Sequence, residues 1–299
     1  MLVFAPLAAA LTFATPAIDG PAAERSYLLR AEASAADRAC DLFTLSEKRV
    51  LAAGLRQSSA DLLAAGASLR AIEAADRRID SDPSLQNCDG EQVQAIATRV
   101  RQAHQIYMSQ IVWELPGRVR SWIANRGHSL EGMWPIRQDL DAATAIGWAK
   151  REDGGALLLA TRVDGRPASA VIIMRDRTRA EPSDATAGGL LPPPGGEPLA
   201  AFGPPPWAEK RIFASERLDR REARIFAPAG ERQALAFSFP ASALETLVDL
   251  DPREGVRIEL LNGEGGAVES WWMEVGALRA AVDFIAAFDA QMAAPIESD

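Results

Sequence analysis

The two cysteines of this 299-residue chain, Cys40 and Cys88, constrain its fold more than any other feature. They follow an apolar leader and lie at matching ends of two helices that the sequence predicts to be neighbours. In an exported protein, such a pair is typical of one structural disulfide. A metal pair and free thiols are the alternatives, but two ligands cannot fill a tetrahedral zinc site and neither histidine is close in sequence. The pattern therefore favours a Cys40–Cys88 disulfide.

The first 20 residues have the features of a signal peptide. Leu2 to Ala14 form an apolar run, which small residues follow at Thr15-Pro16-Ala17. The run is shorter than the roughly 18 residues that span a bilayer. The usual basic segment is missing, because no Lys or Arg precedes Arg25. We predict a signal peptide over residues 1–20 and a periplasmic or secreted mature chain without a transmembrane segment. No cysteine ends the leader, which argues against a lipid anchor.

Composition and charge indicate a folded globular protein. Hydrophobic residues make up 48% of the chain and charged residues 24%, both ordinary values. The net charge of −9 repels phosphate backbones, and no run of Lys or Arg offsets it. We therefore expect no nucleic-acid partner.

Residues 21–126 have the three- and four-residue apolar spacing of helices, and we predict a helical domain over this range. Thr44 and Glu47 have the spacing of a capping box at the start of the second helix. Asp89 with Gln92 is predicted to cap the fourth helix. Four helices joined by short connections most simply form an up-and-down bundle. That topology brings the end of the first helix beside the start of the fourth, where the two cysteines lie.

From Trp134 onward the apolar pattern changes to a period of two, and we predict a mostly antiparallel α+β domain with two helices over residues 127–299. Asp164-Gly165 is a strong signal for a two-residue hairpin between strands at 157–163 and 168–174. Further strands are predicted around Ala145–Lys150, Leu235–Phe239, Val256–Leu260 and Val268–Val275, and helices at Ala241–Asp249 and Ala277–Gln291. The predicted fold class is therefore α+β, a bundle-like helical region with one disulfide followed by the sheet domain.

The segment 181–206 is rich in proline and glycine, including Pro192-Pro193-Pro194. Such a composition cannot form a helix or a central strand and samples polyproline II. We interpret it as a surface loop inserted into the sheet. A docking segment for an aromatic groove is the alternative interpretation.

Two short motifs resemble functional signatures but lack their essential residues. Gly127 to Glu131 resembles a G-x-S-x-G elbow, yet Glu131 replaces the second glycine and no histidine follows Ser129. Asp249 to Glu254 begins like a calcium loop but has Arg253 at the fifth position and no glycine at the sixth. A His-rich metal site is excluded by the two histidines, and we expect no cofactor.

A stretch rich in Trp and Arg joins the two halves of the chain. Its members, as the predicted binding residues, are Trp122, Arg126, His128, Trp134 and Arg137. Arg pairs with carboxylates in a bidentate manner and Trp offers flat contact area, so the stretch could recognise carboxylates, sugars or a partner protein. The alternative is that the Trp residues pack the junction and the Arg residues cover them.

Five short stretches together resemble a group of uncharacterised exported proteins of high-GC Gram-negative bacteria. The stretches are Glu24-Arg25-Ser26-Tyr27, Cys40-Asp41-Leu42-Phe43, Leu115-Pro116-Gly117, Pro206-Trp207-Ala208 and Leu250-Asp251-Pro252-Arg253-Glu254. The last 60 residues are also similar to the ends of invasion-associated periplasmic proteins, which carry cysteines there where this chain has none. Neither resemblance implies an activity.

These observations predict an exported, non-enzymatic binding or envelope-associated module whose partner is an envelope protein or a small ligand. The alternative is a hydrolase of envelope polymers that uses two carboxylates, for which Glu131 and Asp139 are candidates by adjacency. A third hypothesis is a structural module in which a sheet edge or the Pro-rich loop joins an envelope assembly.

Overall fold

The computed structural model describes residues 19–127, 134–151, 154–163, 166–181, 198–226 and 234–292. The leader, most of the Pro-rich segment and the predicted hairpin turn at Asp164-Gly165 lie outside these residues. The described parts contain seven α-helices: α1 (Gly20–Cys40), α2 (Leu45–Ala64), α3 (Leu69–Asp80), α4 (Glu91–Ser109), α5 (Arg220–Phe226), α6 (Ser242–Val248) and α7 (Leu278–Met292). Short 3-10 helices span Pro83–Gln86, Pro198–Phe202 and Pro206–Ala208.

Eleven strands in the described residues form two antiparallel sheets. They are β1 (Val112–Leu115), β2 (Trp122–Asn125), β3 (Ile136–Asp139), β4 (Thr144–Arg151), β5 (Gly154–Arg162), β6 (Ser169–Arg175), β7 (Glu209–Phe213), β8 (Glu216–Arg217), β9 (Ala234–Phe239), β10 (Gly255–Leu261) and β11 (Ala267–Glu274). The larger sheet has the order β1-β2-β3-β4-β5-β9-β8, and the smaller has the order β11-β10-β6-β7. The predicted α+β class, with disulfide-linked helices before the sheets, is confirmed.

Local sequence signals account for the helix starts. The capping box at α2 forms as predicted: Glu47 N–H donates to Thr44 Oγ1 (3.3 Å) and Thr44 N–H donates to Glu47 Oε2 (2.8 Å). Ser68 caps α3 in a similar way. At α4 the predicted cap is wrong, because Gly90 takes the N-cap position and no side chain caps it.

The predicted disulfide is confirmed. Cys40 at the end of α1 is bonded to Cys88, just before α4, with their Cα atoms 5.5 Å apart. α1 packs against α2, α3 and α4, and α2 also packs against α4. The bond therefore fixes one end of the helical region, where α1 finishes and α4 begins.

Replacing Cys40 and Cys88 together by alanine should lower the free energy of unfolding by about 4 kcal/mol, the loop-closure value for a bond that spans 48 residues. Urea denaturation of both proteins measures the difference. A reductant should destabilise the wild type to a similar extent and leave the variant unchanged. Equal stability of the oxidised wild type and the variant would contradict a structural role for the bond.

The inner faces of the two sheets share one apolar core. Leu159 and Phe237 of the larger sheet belong to the same buried cluster as Ile172 and Ile258 of the smaller one. Phe284 of α7 completes it. Burying one such side chain stabilises a fold by roughly 1.5–3 kcal/mol. The two sheets therefore depend on each other for stability.

The predicted hairpin around Asp164-Gly165 is wrong. β5 pairs with β4 and β9 in the larger sheet, whereas β6 pairs with β10 and β7 in the smaller sheet. Both strands are apolar and central, so each uses both of its edges for partners from elsewhere in the chain. Tertiary pairing has overridden the local turn signal.

The sheet begins earlier than expected. β1 and β2 lie within residues 112–125, inside the range predicted to be a helical domain, because α4 already ends at Ser109. Val50 of α2 and Tyr107 of α4 also belong to the buried cluster between the sheets. The helical and sheet parts are thus joined by a common core. None of the described helices combines the length and hydropathy required to cross a membrane.

Candidate ligand groove

The structure places Trp122, the first of the predicted binding residues, in the core. Its side chain is fully buried, and its Nε1 donates to the carbonyl of Glu274 at 2.7 Å. Burial of an indole with its N–H satisfied is typical of a packing role. Trp122 therefore has no surface to offer a ligand.

Arg126 is also buried and acts as a clasp between α4 and α7. Its Nε and Nη2 donate to the carbonyl of Phe284 (3.1 and 2.9 Å). Its Nη1 donates to the carbonyls of Tyr107 (2.6 Å) and Gln110 (3.2 Å) at the end of α4. The guanidinium also lies 3.5 Å from the ring centre of Phe284. These contacts hold the last turn of α4, whose carbonyls lack partners within the helix, against the sheet domain.

The other predicted residues are dispersed. Trp134 is half-buried against the ring of Phe226 and donates to the Phe226 carbonyl at 3.2 Å. Arg137 forms an ion pair with Asp139 at 3.0 Å, which leaves this candidate hydrolase carboxylate paired on the surface. His128 and Glu131 lie outside the described residues.

A buried polar network missed by sequence reasoning surrounds Glu274, at the end of β11. Its carboxylate accepts three consecutive backbone N–H groups, from Arg118 (2.5 Å), Val119 (2.8 Å) and Arg120 (3.1 Å). Gln138 bonds both the N–H and the carbonyl of Glu274 (2.9 and 3.1 Å). The network ties the loop after β1 to β3 and β11. The network stabilises the fold, because its polar atoms form hydrogen bonds with other groups of the chain.

Nearby, Gly117 is needed for this contact. A Cβ at this position would lie 2.7 Å from the Glu274 carboxylate and 2.3 Å from the Arg120 carbonyl oxygen. The Leu115-Pro116-Gly117 stretch thus leads into a tight loop around a buried carboxylate.

The structure reveals an open groove between α1, α2 and α4, which we call the helix groove. It has a volume of about 790 Å³. Its apolar lining comes from one face of α1 and from the facing sides of the other helices and β1: Ala22, Leu29, Ala33, Val50, Leu51, Ile96, Val100, Ala103, Ile106, Tyr107 and Trp113. Leu29 and Ile106 remain 52% and 62% exposed. The groove is thus an apolar surface that the fold leaves uncovered in the described residues.

The helix groove lies away from the disulfide. Its lining uses residues 22–33 of α1 and 96–110 of α4, whereas the bond joins the opposite ends of these helices. The groove therefore occupies the end at which no covalent bond joins α1 and α4.

The charged lining of the helix groove is entirely basic. It consists of Arg25, Arg30 and Arg99, with His104 beside them and no carboxylate. His104 Nε2 lies 2.9 Å from Ser46 Oγ and forms a hydrogen bond with this surface serine. The chain as a whole has a net charge of −9, whereas the lining of the groove carries positive charge.

Arg30 is the most enclosed of these cations. Its Nη1 donates to the carbonyl of Ser26 (3.0 Å), and its side chain packs over Gly54, where a Cβ would lie 2.7 Å from Nε. Burial lowers the pKa of the Arg30 guanidinium, and the charge of Asp61 partly offsets this. Within the described parts of the chain, no carboxylate lies within 4 Å of Arg25, Arg30 or Arg99.

Asp61 of α2, whose carboxylate interacts with the charge of Arg30, is buried in a way that disfavours its ionised form. Burial raises its pKa to about 6, although a hydrogen bond from Gln57 Nε2 (2.7 Å) and the charge of Arg30 oppose the shift. The folded state therefore favours the neutral acid. Its contribution to stability is complete below the unfolded pKa of 3.8 and is lost as the pH rises through about 6.

Replacing Asp61 by asparagine should stabilise the protein at neutral pH, because the amide keeps an acceptor for Gln57 and cannot ionise. We expect nearly equal stability at pH 4 and a gain of about 1–2 kcal/mol at pH 7.5, a value reduced for partial exposure. Urea denaturation at the two pH values measures it. Glu264→Gln, which removes an exposed charge in the β10–β11 turn, is the control and should show no such pH-dependent gain.

Two other cavities are lined by paired polar groups. One of about 390 Å³ lies between α2 and α7, close to the Arg56–Asp283 ion pair (2.6 Å). Another, of about 510 Å³, lies beside the disulfide end of α1, where Arg38 pairs with Asp80. In the parts that the structure describes, no group of three or more His, Cys, Asp or Glu side chains could hold a metal ion.

One sequence signal could have pointed to the helix groove. Leu28 and Tyr107 fit the apolar stripes of α1 and α4, and their neighbours Leu29 and Ile106 are also large and apolar. A helix that is apolar beyond one stripe must bury its second face or leave it for a partner.

No protein-family model matches the chain, and neither characterised proteins nor solved structures give a significant match.

Proposed function

We propose that the protein is an exported, non-enzymatic binding protein that holds an apolar ligand in the helix groove. The observation that carries this proposal is the groove itself, an open apolar surface of about 790 Å³ between α1, α2 and α4. Pockets that bind small molecules have volumes of about 300–1,000 Å³ and mostly apolar linings. Leu29 and Ile106 at its rim are exposed apolar side chains that such a ligand would cover.

Export is supported by the Cys40–Cys88 bond and by the apolar leader that precedes α1. Disulfides persist in oxidising compartments such as the periplasm and are rare in the cytosol. Expression of the full chain in a Gram-negative host should give a periplasmic product shorter by about the predicted leader. A full-length product that stays in the cytoplasm with both thiols free would contradict the export proposal.

The binding proposal can be tested with N-phenyl-1-naphthylamine, a neutral apolar dye that fluoresces when it leaves water. We expect a saturable increase in fluorescence with the wild type. Ala103→Phe should weaken dye binding by about tenfold or more, because it places a ring in the groove and removes the contacts there. Ala103 is exposed in the free protein, so the substitution leaves the core unchanged.

The matched control is Ala74→Phe, on the exposed side of α3 and outside the groove lining. It should bind the dye as the wild type does. Absence of saturable dye binding to the wild type would overturn the proposal. Equal binding by Ala103→Phe and the wild type would show that the dye sits elsewhere and would also overturn it.

A further inference from the structure

We infer that the ligand of the helix groove is a long-chain fatty acid, with its carboxylate between Arg30 and Arg99 and its chain directed toward Ile106 and Trp113. This inference rests on the proposed function and specifies the ligand class. Three features support it: the position of the cations along the groove, the absence of a carboxylate from the groove lining and the length of groove beyond Arg30.

The disulfide sets the relative height of residues on α1 and α4. α1 ends and α4 begins at this bond, so both helices run away from it, each rising about 1.5 Å per residue. Arg30 lies ten residues before Cys40, and Arg99 lies eleven residues after Cys88. The two arginines therefore lie within about one helical turn of the same height, in the half of the groove nearer the disulfide.

A carboxylate at this level would pair with Arg99, which is exposed on α4, and would add to the charge of Asp61 near Arg30. Burial of the Arg30 guanidinium against Ser26 and Gly54 is costly, and the charge of Asp61 offsets this cost only in part. Guanidinium groups bind carboxylates through paired, charge-assisted hydrogen bonds. A neutral apolar ligand would leave the remaining cost in place, whereas an anionic head group would lower it further.

The rest of the groove fits a single apolar chain. From Arg30 to Ala22, α1 extends about 12 Å along the groove. The far end is lined by Ile106, Tyr107 and Trp113, with Arg25, His104 and Gln110 among the polar residues at this part of the groove. A fatty acid has this distribution of properties, one carboxylate followed by a flexible apolar chain. Charge complementarity with a lining that contains three arginines and no carboxylate selects the anionic form.

The test compares two ligands with the same chain, myristate and myristyl alcohol, as competitors of bound N-phenyl-1-naphthylamine at low ionic strength. We expect myristate to bind at least tenfold more tightly than the alcohol, because a hydrogen bond to a charged group gives about this ratio. The preference should fall as salt is added.

Two variants locate the head group. Arg99→Gln and Arg30→Gln should each weaken myristate binding about tenfold and leave binding of the alcohol unchanged. Arg99 is exposed, so Arg99→Gln keeps the test valid if Arg30→Gln does not fold. Arg101→Gln, on the same helix but outside the groove lining, removes an equal charge and should retain myristate binding.

Equal affinity for myristate and the alcohol would overturn the fatty-acid inference and leave the binding proposal intact. Binding to anionic vesicles without binding of myristate would assign the groove to a membrane surface and overturn the inference. A dimer in sedimentation experiments that Ala103→Phe dissociates would make a second copy of the chain the occupant, with the same consequence. Failure of the dye to bind at all would overturn the proposed function itself.

Discussion

Arg126→Ala is expected to lower the free energy of unfolding by about 5 kcal/mol. The guanidinium donates to the carbonyls of Phe284, Tyr107 and Gln110, and removal leaves these acceptors without their charged donor. Hydrogen bonds to charged groups contribute roughly 1.5–3 kcal/mol each. The cavity between the rings of Tyr107 and Phe284 adds to the loss. Urea denaturation measures the total effect.

Arg137→Ala is the matched control, since it removes the same side chain from the neighbouring strand β3. Its ion pair with Asp139 is solvent-accessible, so the expected cost is below about 1 kcal/mol. Arg126→Lys should have an intermediate effect, because an ammonium cannot reproduce the fork of the guanidinium. Hydrogen exchange at the end of α4 should accelerate in both Arg126 variants. Similar stabilities of Arg126→Ala and Arg137→Ala would contradict the role of Arg126 as a clasp.

Glu274→Ala is the second substitution with a large expected effect, again a loss of about 5 kcal/mol. The carboxylate accepts the backbone N–H groups of Arg118, Val119 and Arg120, and it is 4% exposed. Without it, three donors lose a charged acceptor in a place that water reaches poorly. Glu274→Gln retains one acceptor oxygen but points an amide N–H₂ at the donors, and we expect a loss of about 3 kcal/mol.

Glu269→Gln, five residues earlier on the same strand and exposed, should change stability by less than about 0.5 kcal/mol. Chemical denaturation of the three variants side by side separates the buried carboxylate from the effect of net charge. A Glu274→Gln variant as stable as Glu269→Gln would mean that the loop after β1 does not depend on the carboxylate.

Features encoded over a few residues were predictable here. The capping box of Thr44 and Glu47 forms because its two hydrogen bonds depend only on residues three positions apart. The alternation in β9, β10 and β11 predicts their strands because a half-buried strand needs little more than a period of two. The disulfide was predictable because the chain offers one pair of cysteines and the bundle topology brings their helix ends together.

Burial was much harder to predict. Trp122 and Arg126 have the chemistry of a binding surface, and nothing local distinguishes that use from the one the fold makes of them. Their burial depends on α7 and β11, which lie about 150 residues further along the chain. The separation of β5 and β6 into different sheets has the same origin, because partners distant in sequence compete for each strand edge.

The sequence alone thus accounts for the secondary-structure elements, the α+β class and the disulfide. The elements depend on contacts between residues close in sequence, and two cysteines allow only one pairing within the chain. The division of the strands between two sheets, the buried clasp at Arg126 and the open groove of α1, α2 and α4 arise from competition among distant segments for the same surfaces. The packing of the whole chain decides which segment covers each surface. The local sequence pattern of a segment does not show this outcome.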